Sequence, residues 1–468
     1  MGFATSWRAA LPSIAAPPNA VPFVPSADTL EAAIAYLDLA GTSSGSAVDA
    51  TARRTAFSAY AALPVPGGYP GRSWRYDYAK LPFDDLRWSS GRQSVATMPF
   101  APSQTHDPEL DRPALATENA GGLVHLGATL LEAPGPTASD PRVIVTSLAA
   151  ARRDHAELLA PVLHAIVDPH GDRFAALATA FQNCGAFVYV PAGVVLDAPI
   201  QLLFVNGDAH RAAVFPLIAI VLGAGARATV IERHSGDGDA FVCGIVEAHV
   251  GAAAQLDVVT IQQADVEARI FASRGARCER DATMRWHLAE LGGALARSVV
   301  TTELAAPGAR GEAAALFFTG ATQHVDLTVH TEHTVGQTTS NTVVRSAATD
   351  HGQGRFFGNI AIRKAAHGSD ASLRDDALLL SKSAHIDSVP ALEIAANDVK
   401  AFHGATVGSV DEEQLFYARS RGIGRADALR MIALGFFEPV VSRFPGERLR
   451  DEIRTALDGK IDAATEID

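Results

Sequence analysis

Residues Leu378–Gly422 read LLLSKSAHIDSVPALEIAANDVKAFHGATVGSVDEEQLFYARSRG. The stretch opens as short β-type runs and then turns abruptly helical, with His403 at the junction. Upstream, from about Ala186 to Phe402, the same strand texture recurs: AFVYV, LIAIVLG, ATVIERH, AQLDVVTIQQ, ARSVVTTEL, EAAALFFTG and GRFFGNIAI, punctuated by Gly, Asp and Ser. Alternation is plain in His324–His330 (HVDLTVH), whose apolar residues share one face. No helix long enough for a parallel crossover interrupts these runs, which excludes a doubly wound fold. Sandwich and propeller hairpins favour Asn-Gly and Asp-Gly turns, and these are scarce. Irregular small and polar turns between stacked apolar rungs fit a parallel β-helix. The hexapeptide rhythm of the left-handed form is absent, so the reading is a mainly β chain built on a right-handed parallel β-helix, flanked by N-terminal and C-terminal helical domains.

Downstream the chain is helical. Asp411 is placed as N-cap of DEEQLFYARSR with Gln414 three residues on, and Gly422 is the natural stop. A second helix is expected over Ala426–Val441, and a third carries Leu449, Ile453, Leu457 and Ile461 as one apolar stripe. These helices are expected to cap the last rung, a role compatible with partner binding. Before the strands, Thr29–Leu39 and Val48–Leu63 have helical spacing, Val143–Thr146 reads as a strand and Ala176–Asn183 as a short helix. Pro64–Pro82 and Leu131–Pro141 read as loops. The division is 1–178 helical and mixed, 179–408 β-helix, and 409–468 helical.

The 468 residues, 48% hydrophobic and 19% charged, describe a globular chain with a large core. A net charge of -13 without a basic stripe argues against nucleic-acid binding. Cys184, Cys243 and Cys278 are widely spaced and form no paired motif, which favours a reducing compartment. The start lacks a signal-peptide pattern, and the most apolar window, Val214–Ala226, is too short to span a bilayer. A cytoplasmic protein is expected, with no membrane association.

Histidine is the reactive type that clusters in the later strands, at 324, 330, 333, 351, 367, 385 and 403. Six of these read as structural imidazoles, and no closed zinc spacing occurs. His403 differs, because it is followed by Gly404 and precedes a capped helix, where a neutral ring is a good ligand for iron or zinc. Spacing alone still puts a structural role first. Asp375–Asp376 and Glu412–Glu413 are adjacent, so each pair points to opposite faces or serves a helix N-terminus and makes no acid/base dyad. GxxxxGK[ST], and GxGxxG between strand and helix, are missing, so any ATP dependence must come from another chain.

His333-Thr334, Ser340, Gly354–Ile360 (GRFFGNI), Ser369–Leu373 (SDASL), Leu378–Ser381, Leu392–Ile394 (LEI), Asp398–Gly408 (DVKAFHGATVG) and Asp411–Ile423 together resemble the SufB/SufD family of iron–sulfur cluster assembly proteins, closest to its SufD branch. HGATVG followed closely by QLFYxRSRGI carries the resemblance, which runs from about Val188 to Val441. Ser73–Tyr76 (SWRY) is similar to a short family motif before the core. The resemblance implies a right-handed β-helix with helical flanks and a non-catalytic scaffold subunit. That subunit would pair with a SufB-like paralogue and engage a SufC-like ABC-type ATPase through its C-terminal helices. ATPase movement would then rearrange the interface where a transient iron–sulfur cluster is built. It also implies that the motif histidine, here His403, faces that interface and serves cluster assembly, with metal shared with the partner.

Where the SufB branch has a cysteine before LEI, this chain has Ala384. Where many SufD chains have one two residues before the histidine, it has Ala401. Clusters usually need thiolates, so the partner would supply them. No cofactor is expected on the chain alone, and the motifs do not speak to flavin. Phe416, Tyr417, Leu429, Ile432 and Phe436 are the candidate ATPase contacts. Two alternatives stand beside this reading: a self-pairing scaffold, homodimeric when isolated, and a β-helix enzyme acting on polysaccharide. Aromatic content of 7% and the lack of a carboxylate groove weigh against the second.

Overall fold

Each apolar run between Cys184 and Ser409 becomes one strand, and the strands alternate between two parallel sheets. The computed structural model describes residues 50–64, 86–88, 120–131, 140–206, 211–236 and 238–465. The first sheet stacks Cys184–Val190, Pro216–Leu222, Phe241–Val250, Arg269–Cys278, Leu295–Leu304, His324–His333, Gln353–Ile362 and His385–Ile394. The second stacks Ile200–Val205, Arg227–Ser235, Gln255–Gln262, Thr283–Glu290, Arg310–Thr319, Thr339–Ala348, Ser369–Leu379 and Val399–Ser409. Leu295 pairs with His324 and His324 with Gln353, so each turn returns the chain to the same sheet one strand further along. The result is a parallel β-solenoid of about 8 turns with helices at both termini, the mainly β architecture expected from the strand texture. Parallel strands have no tight hairpins to make, which is why Asn-Gly turns are rare here.

The solenoid is closed inside by alternation. In His324–His333, Val325, Leu327 and Val329 join the interior cluster while His324, Asp326, Thr328 and His330 take the other face. Pro216–Leu222 is buried throughout instead, because its outer face is also covered. That cover is the helix Arg173–Phe181, capped by Asp172, whose Phe174 ring stacks on Phe271 at 4.3 Å. Arg53 of the helix Ala50–Ala62 donates to the carbonyls of Ala180 and Gln182 at 2.7 Å each, satisfying acceptors left free at that helix end. Glu247 on the sheet accepts from the backbone N–H groups of His164, Ile166 and Val167. The region before residue 178 also adds strands: Ile144–Ser147 runs antiparallel to Cys184–Val190, and Gly122–Leu126 runs parallel to Ile200–Val205. Thr29–Leu39, Ser73–Tyr76 and most of the two expected loops lie outside the described residues.

The C-terminal helices are Glu412–Ser420, Arg425–Val441 and Glu447–Thr465. Asp411 caps the first, accepting from the Glu413 N–H at 2.8 Å, and Gly422 follows it at φ +87°. The expectation that they cap the last rung is corrected. They fold back along the outer face of the second sheet, where Phe437, Val440, Phe444, Leu449, Ile453, Leu457 and Ile461 pack on Ile231, Val259, Ile261, Leu316 and Phe318. The physical reason is the apolar outer row of those earlier strands, which would otherwise face water. Arg233 pairs with Glu452, and Lys460 donates to Gln323 at 3.0 Å, fixing the third helix in place. Among the described residues no helix is long and apolar enough to cross a membrane.

Candidate functional site

Because the helices lie alongside, no described residue closes the end of the solenoid. Among the described residues, His385–Ile394 and Val399–Ser409 each pair on one side only, leaving two adjacent strand edges open. Pro390 sits in the middle of the first, tolerated because an edge strand has a side with no hydrogen bonds to make. Phe402 is 57% exposed, and Ile394 and Val407 are also exposed. Exposed apolar groups on an open edge are the kind of feature that another chain can cover.

His403 ends an interior column. In register, the column runs Val230, Val258, Trp286, Ala313, Thr342, Leu373, His403. Its members up to Leu373 are buried, and His403 is exposed because no further rung among the described residues lies over it. The motif glycines have a packing role. Gly354 and Gly358 alternate inward with Phe356 and Ile360, and a Cβ on Gly358 would come 2.3 Å from Leu373 and 2.8 Å from the Phe356 ring. The column under His403 therefore depends on a glycine in the opposite sheet.

One column along, Asp375 points inward beneath Ala405, in the row Val344, Asp375, Ala405. Ser388 of the other sheet donates to its Oδ2 across the interior. Burial pushes the Asp375 carboxyl up to about 6, and its Oδ1 has no hydrogen-bond partner. Asp376 faces outward to Arg345 and Arg374, so the two carboxylates are on opposite faces, as adjacency implies. Sequence reading set this pair aside and missed Asp375. The available signal was its parity with Ala371 and Leu373, a carboxylate in phase with an apolar row.

Two of the other histidines, His333 and His330, have local structural partners. His333 is fully buried, bridged by Thr338 Oγ1 at 2.7 Å and Ser340 Oγ at 2.8 Å, and burial lowers it to about 4. Its ring is neutral and joins the turn to the following strand, which explains His333-Thr334 and Ser340 as structural members of the motif. His330 Nδ1 accepts from the Asn359 amide nitrogen at 3.0 Å, and the same nitrogen donates to Glu393 at 3.0 Å. Deeper inside, Glu232, His234, Arg274 and Glu290 form a buried polar cluster, with His234 at 2.7 Å and Arg274 at 3.3 Å from the Glu232 carboxylate. Burial alone would raise Glu232. Arg274 and His234 more than offset it and hold Glu232 at about 2.

The five helix candidates divide. Phe416 is 73% exposed and Tyr417 is exposed, with Leu415 the residue of that helix that is buried. Leu429 and Ile432 are half-buried on the next helix. Phe436 packs against Phe437 at 5.4 Å with Arg345 over its ring at 5.1 Å, inside the helix-to-sheet contact. All three cysteines are buried on strands that end by Cys278, and Ala384 and Ala401 occupy the positions near the open end, which holds no thiol. Among the described residues no three His, Cys, Asp or Glu side chains gather to hold a metal ion.

Comparison with known proteins places this geometry. A family profile described as the SUF system FeS cluster assembly SufBD core domain matches residues 204–436, and one described as the SufBD protein N-terminal region matches 131–202. An iron–sulfur cluster assembly SufBD family protein of Mycobacterium leprae is 31% identical over 265 residues, which cover 56% of this chain and 30% of that longer protein. The iron–sulfur cluster assembly protein SufB of Bacillus subtilis is 26% identical over 401 residues, 82% of this chain and 83% of that one. A SufBD family protein of Staphylococcus saprophyticus is 26% identical over 397 residues, with the same coverage.

Proposed function

The chain belongs to the SufBD family of iron–sulfur cluster assembly proteins, and from that premise we propose that it is the SufD-type scaffold subunit of a Suf complex. In this reading it catalyses no reaction itself. Its open end docks on a SufB-like chain, its C-terminal helices engage a SufC-like ATPase in the cytoplasm, and a nascent iron–sulfur cluster is the cargo. The observation that carries the reading is the bare solenoid end, where His403 terminates an otherwise buried column between two unpaired edges. Edges of this kind recruit another chain by extending the sheet. The missing thiol at that end supports the SufD-type assignment, since cluster iron requires sulfur ligands that a partner would bring. His403 would add an imidazole at the shared site. Exposed Phe416 and Tyr417 offer the ATPase contact, whereas Phe436 serves mainly to dock the helices.

The test is co-purification of the tagged chain, wild type and His403→Ala, with the SufB-like and SufC-like proteins of its organism, followed by anaerobic iron and sulfide quantitation. Wild type and variant should both form the complex, with less cluster on the variant. Failure to form any mixed complex rejects the reading. A second reading, a self-pairing scaffold, is favoured by relatives that carry the SufB name. Native mass spectrometry separates the two, because self-pairing predicts a dimer that added SufB-like chain does not dissociate.

A further inference from the structure

Asp375 is fully buried, yet it lies one residue from the end of the solenoid, with Ala405 above it in its column. The charged groups around it face away. Arg374 and Asp376 on its own strand bond to each other on the outer face, and Arg345 on the preceding strand is held there by Asp376. Across the interior, His385 and Asp387 lie on the strand of Ser388, at positions of opposite parity to it, and bond to each other at 2.8 Å. On the edge strand, Lys400 is outward and exposed, and His403 occupies the neighbouring inner position. Inside, the carboxyl meets Ser388, with the unpartnered hydroxyl of Ser346 in the next column. Arg345 pulls the carboxyl down from the outer face and Ser388 does so from inside, but burial outweighs both and the uncharged form is favoured.

We propose that Asp375 couples docking at the open end to proton uptake, a second family chain seated over Ala405 binding more tightly when the Asp375 carboxyl is uncharged. This rests on the reading of the open end as a docking face. Water at the bare end lies just beyond Ala405, and a docked chain removes it. Burial already holds the carboxyl up at about 6, and the added desolvation acts in the same direction. The sign follows from linkage. If the docked state has the higher pKa, affinity rises as pH falls between the docked and free values, by at most about tenfold per pH unit, and is flat outside that window. Ser388 is the positioning residue, since its hydroxyl fixes the carboxyl across the two sheets.

The experiment measures binding of the full chain to the SufB-like chain of its organism by calorimetry, from about pH 5.5 to about pH 8, in two buffers of different ionisation enthalpy. Wild type, Asp375→Asn and Ser388→Ala are compared. His403 is common to all three, so its titration cancels in the differences. Wild type is expected to take up protons on binding and to tighten as pH falls. Asp375→Asn should lose that uptake and bind at neutral pH as wild type does in acid. Ser388→Ala removes the donor that favours the charged form, shifts the wild-type curve to higher pH, and provides the readout if Asp375→Asn does not fold. Equal proton uptake in wild type and Asp375→Asn, or wild-type binding that tightens as pH rises, overturns the proposal while leaving the docking face intact. Absence of binding at every pH overturns both.

Discussion

Leu373 and His403 are register partners on the last two strands of one sheet, the first a buried core residue and the second exposed above it. An imidazole thus stands where a continuing solenoid would place its next apolar side chain. The position is costly to a finished core and useful to an interface, because the residue is held in register by the sheet and left exposed at its edge. Truncating it removes little packing, so His403→Ala should change unfolding free energy by less than about 0.5 kcal/mol, as exposed substitutions do. Urea unfolding of the isolated chain checks this. A large loss would assign His403 to the fold.

Gly358 and Gly408 make a matched pair. Alanine at 358 would drive its Cβ into Leu373 and Phe356, an overpacking that costs roughly 1–3 kcal/mol. Alanine at 408 meets nothing within 4 Å and should be neutral or slightly stabilising. Thermal melts of the two variants side by side give the contrast directly.

The buried ions inside the solenoid should be fragile when divided. Arg274→Met removes the guanidinium partner of Glu232, leaving His234 and Thr260 beside it, and is expected to cost about 3–5 kcal/mol, with much of it restored by adding Glu232→Gln. Glu232 is held well below the ordinary carboxylate value, so its contribution is present above about pH 4.5 and is lost as pH falls toward about 2. Acid-unfolding midpoints of wild type and the double variant should differ in that range.

Asp375 works in the opposite sense. Its folded value is raised from 3.8 to about 6, so stability from its neutral form is fully present below 3.8 and is lost as pH rises through about 6. The loss is on the order of 2–3 kcal/mol, and Asp375→Asn should remove that pH dependence. Denaturant midpoints measured from about pH 4 to about pH 7 would show the two curves converging in acid.

Phe416 and Phe437 separate contact from cohesion. Phe416→Ser, with Tyr417→Ser, should leave the melting curve unchanged while weakening ATPase binding at least about tenfold, since each is exposed. Phe437→Ala opens a void in a fully buried cluster and should cost about 3–5 kcal/mol. Pull-down and calorimetric scans distinguish the two effects. Unimpaired ATPase binding by the double variant rejects the contact.

Much of this was legible before any coordinates. The alternation in His324–His330, the Asp411 cap, the Gly422 stop and the stripe from Leu449 to Ile461 each encode a local rule, and each appears as read. What that stripe packs on was not legible, because amphipathicity says that a helix face is covered and not by which partner. The outer row of Ile231, Val259 and Phe318 held the answer, far away in the chain. Glu232 and Arg274 were hidden for a similar reason, since the turn that joins them in space separates them in sequence. Asp375 was hidden by its neighbour, for an adjacent pair invites a judgement on the pair and obscures the phase of each member.

The edge strand ends at Ser409 and the exposed helix begins at Glu412, with Val410 and Asp411 between them. So short a joint leaves little slack, and a force applied at Phe416 is transmitted directly into the strand that carries His403. The ladder bonds of that strand run across it, so a pull along it loads them together in shear. Mechanically, the chain is a stiff beam with a crank on its last spoke, and work done on the crank is delivered to the rim.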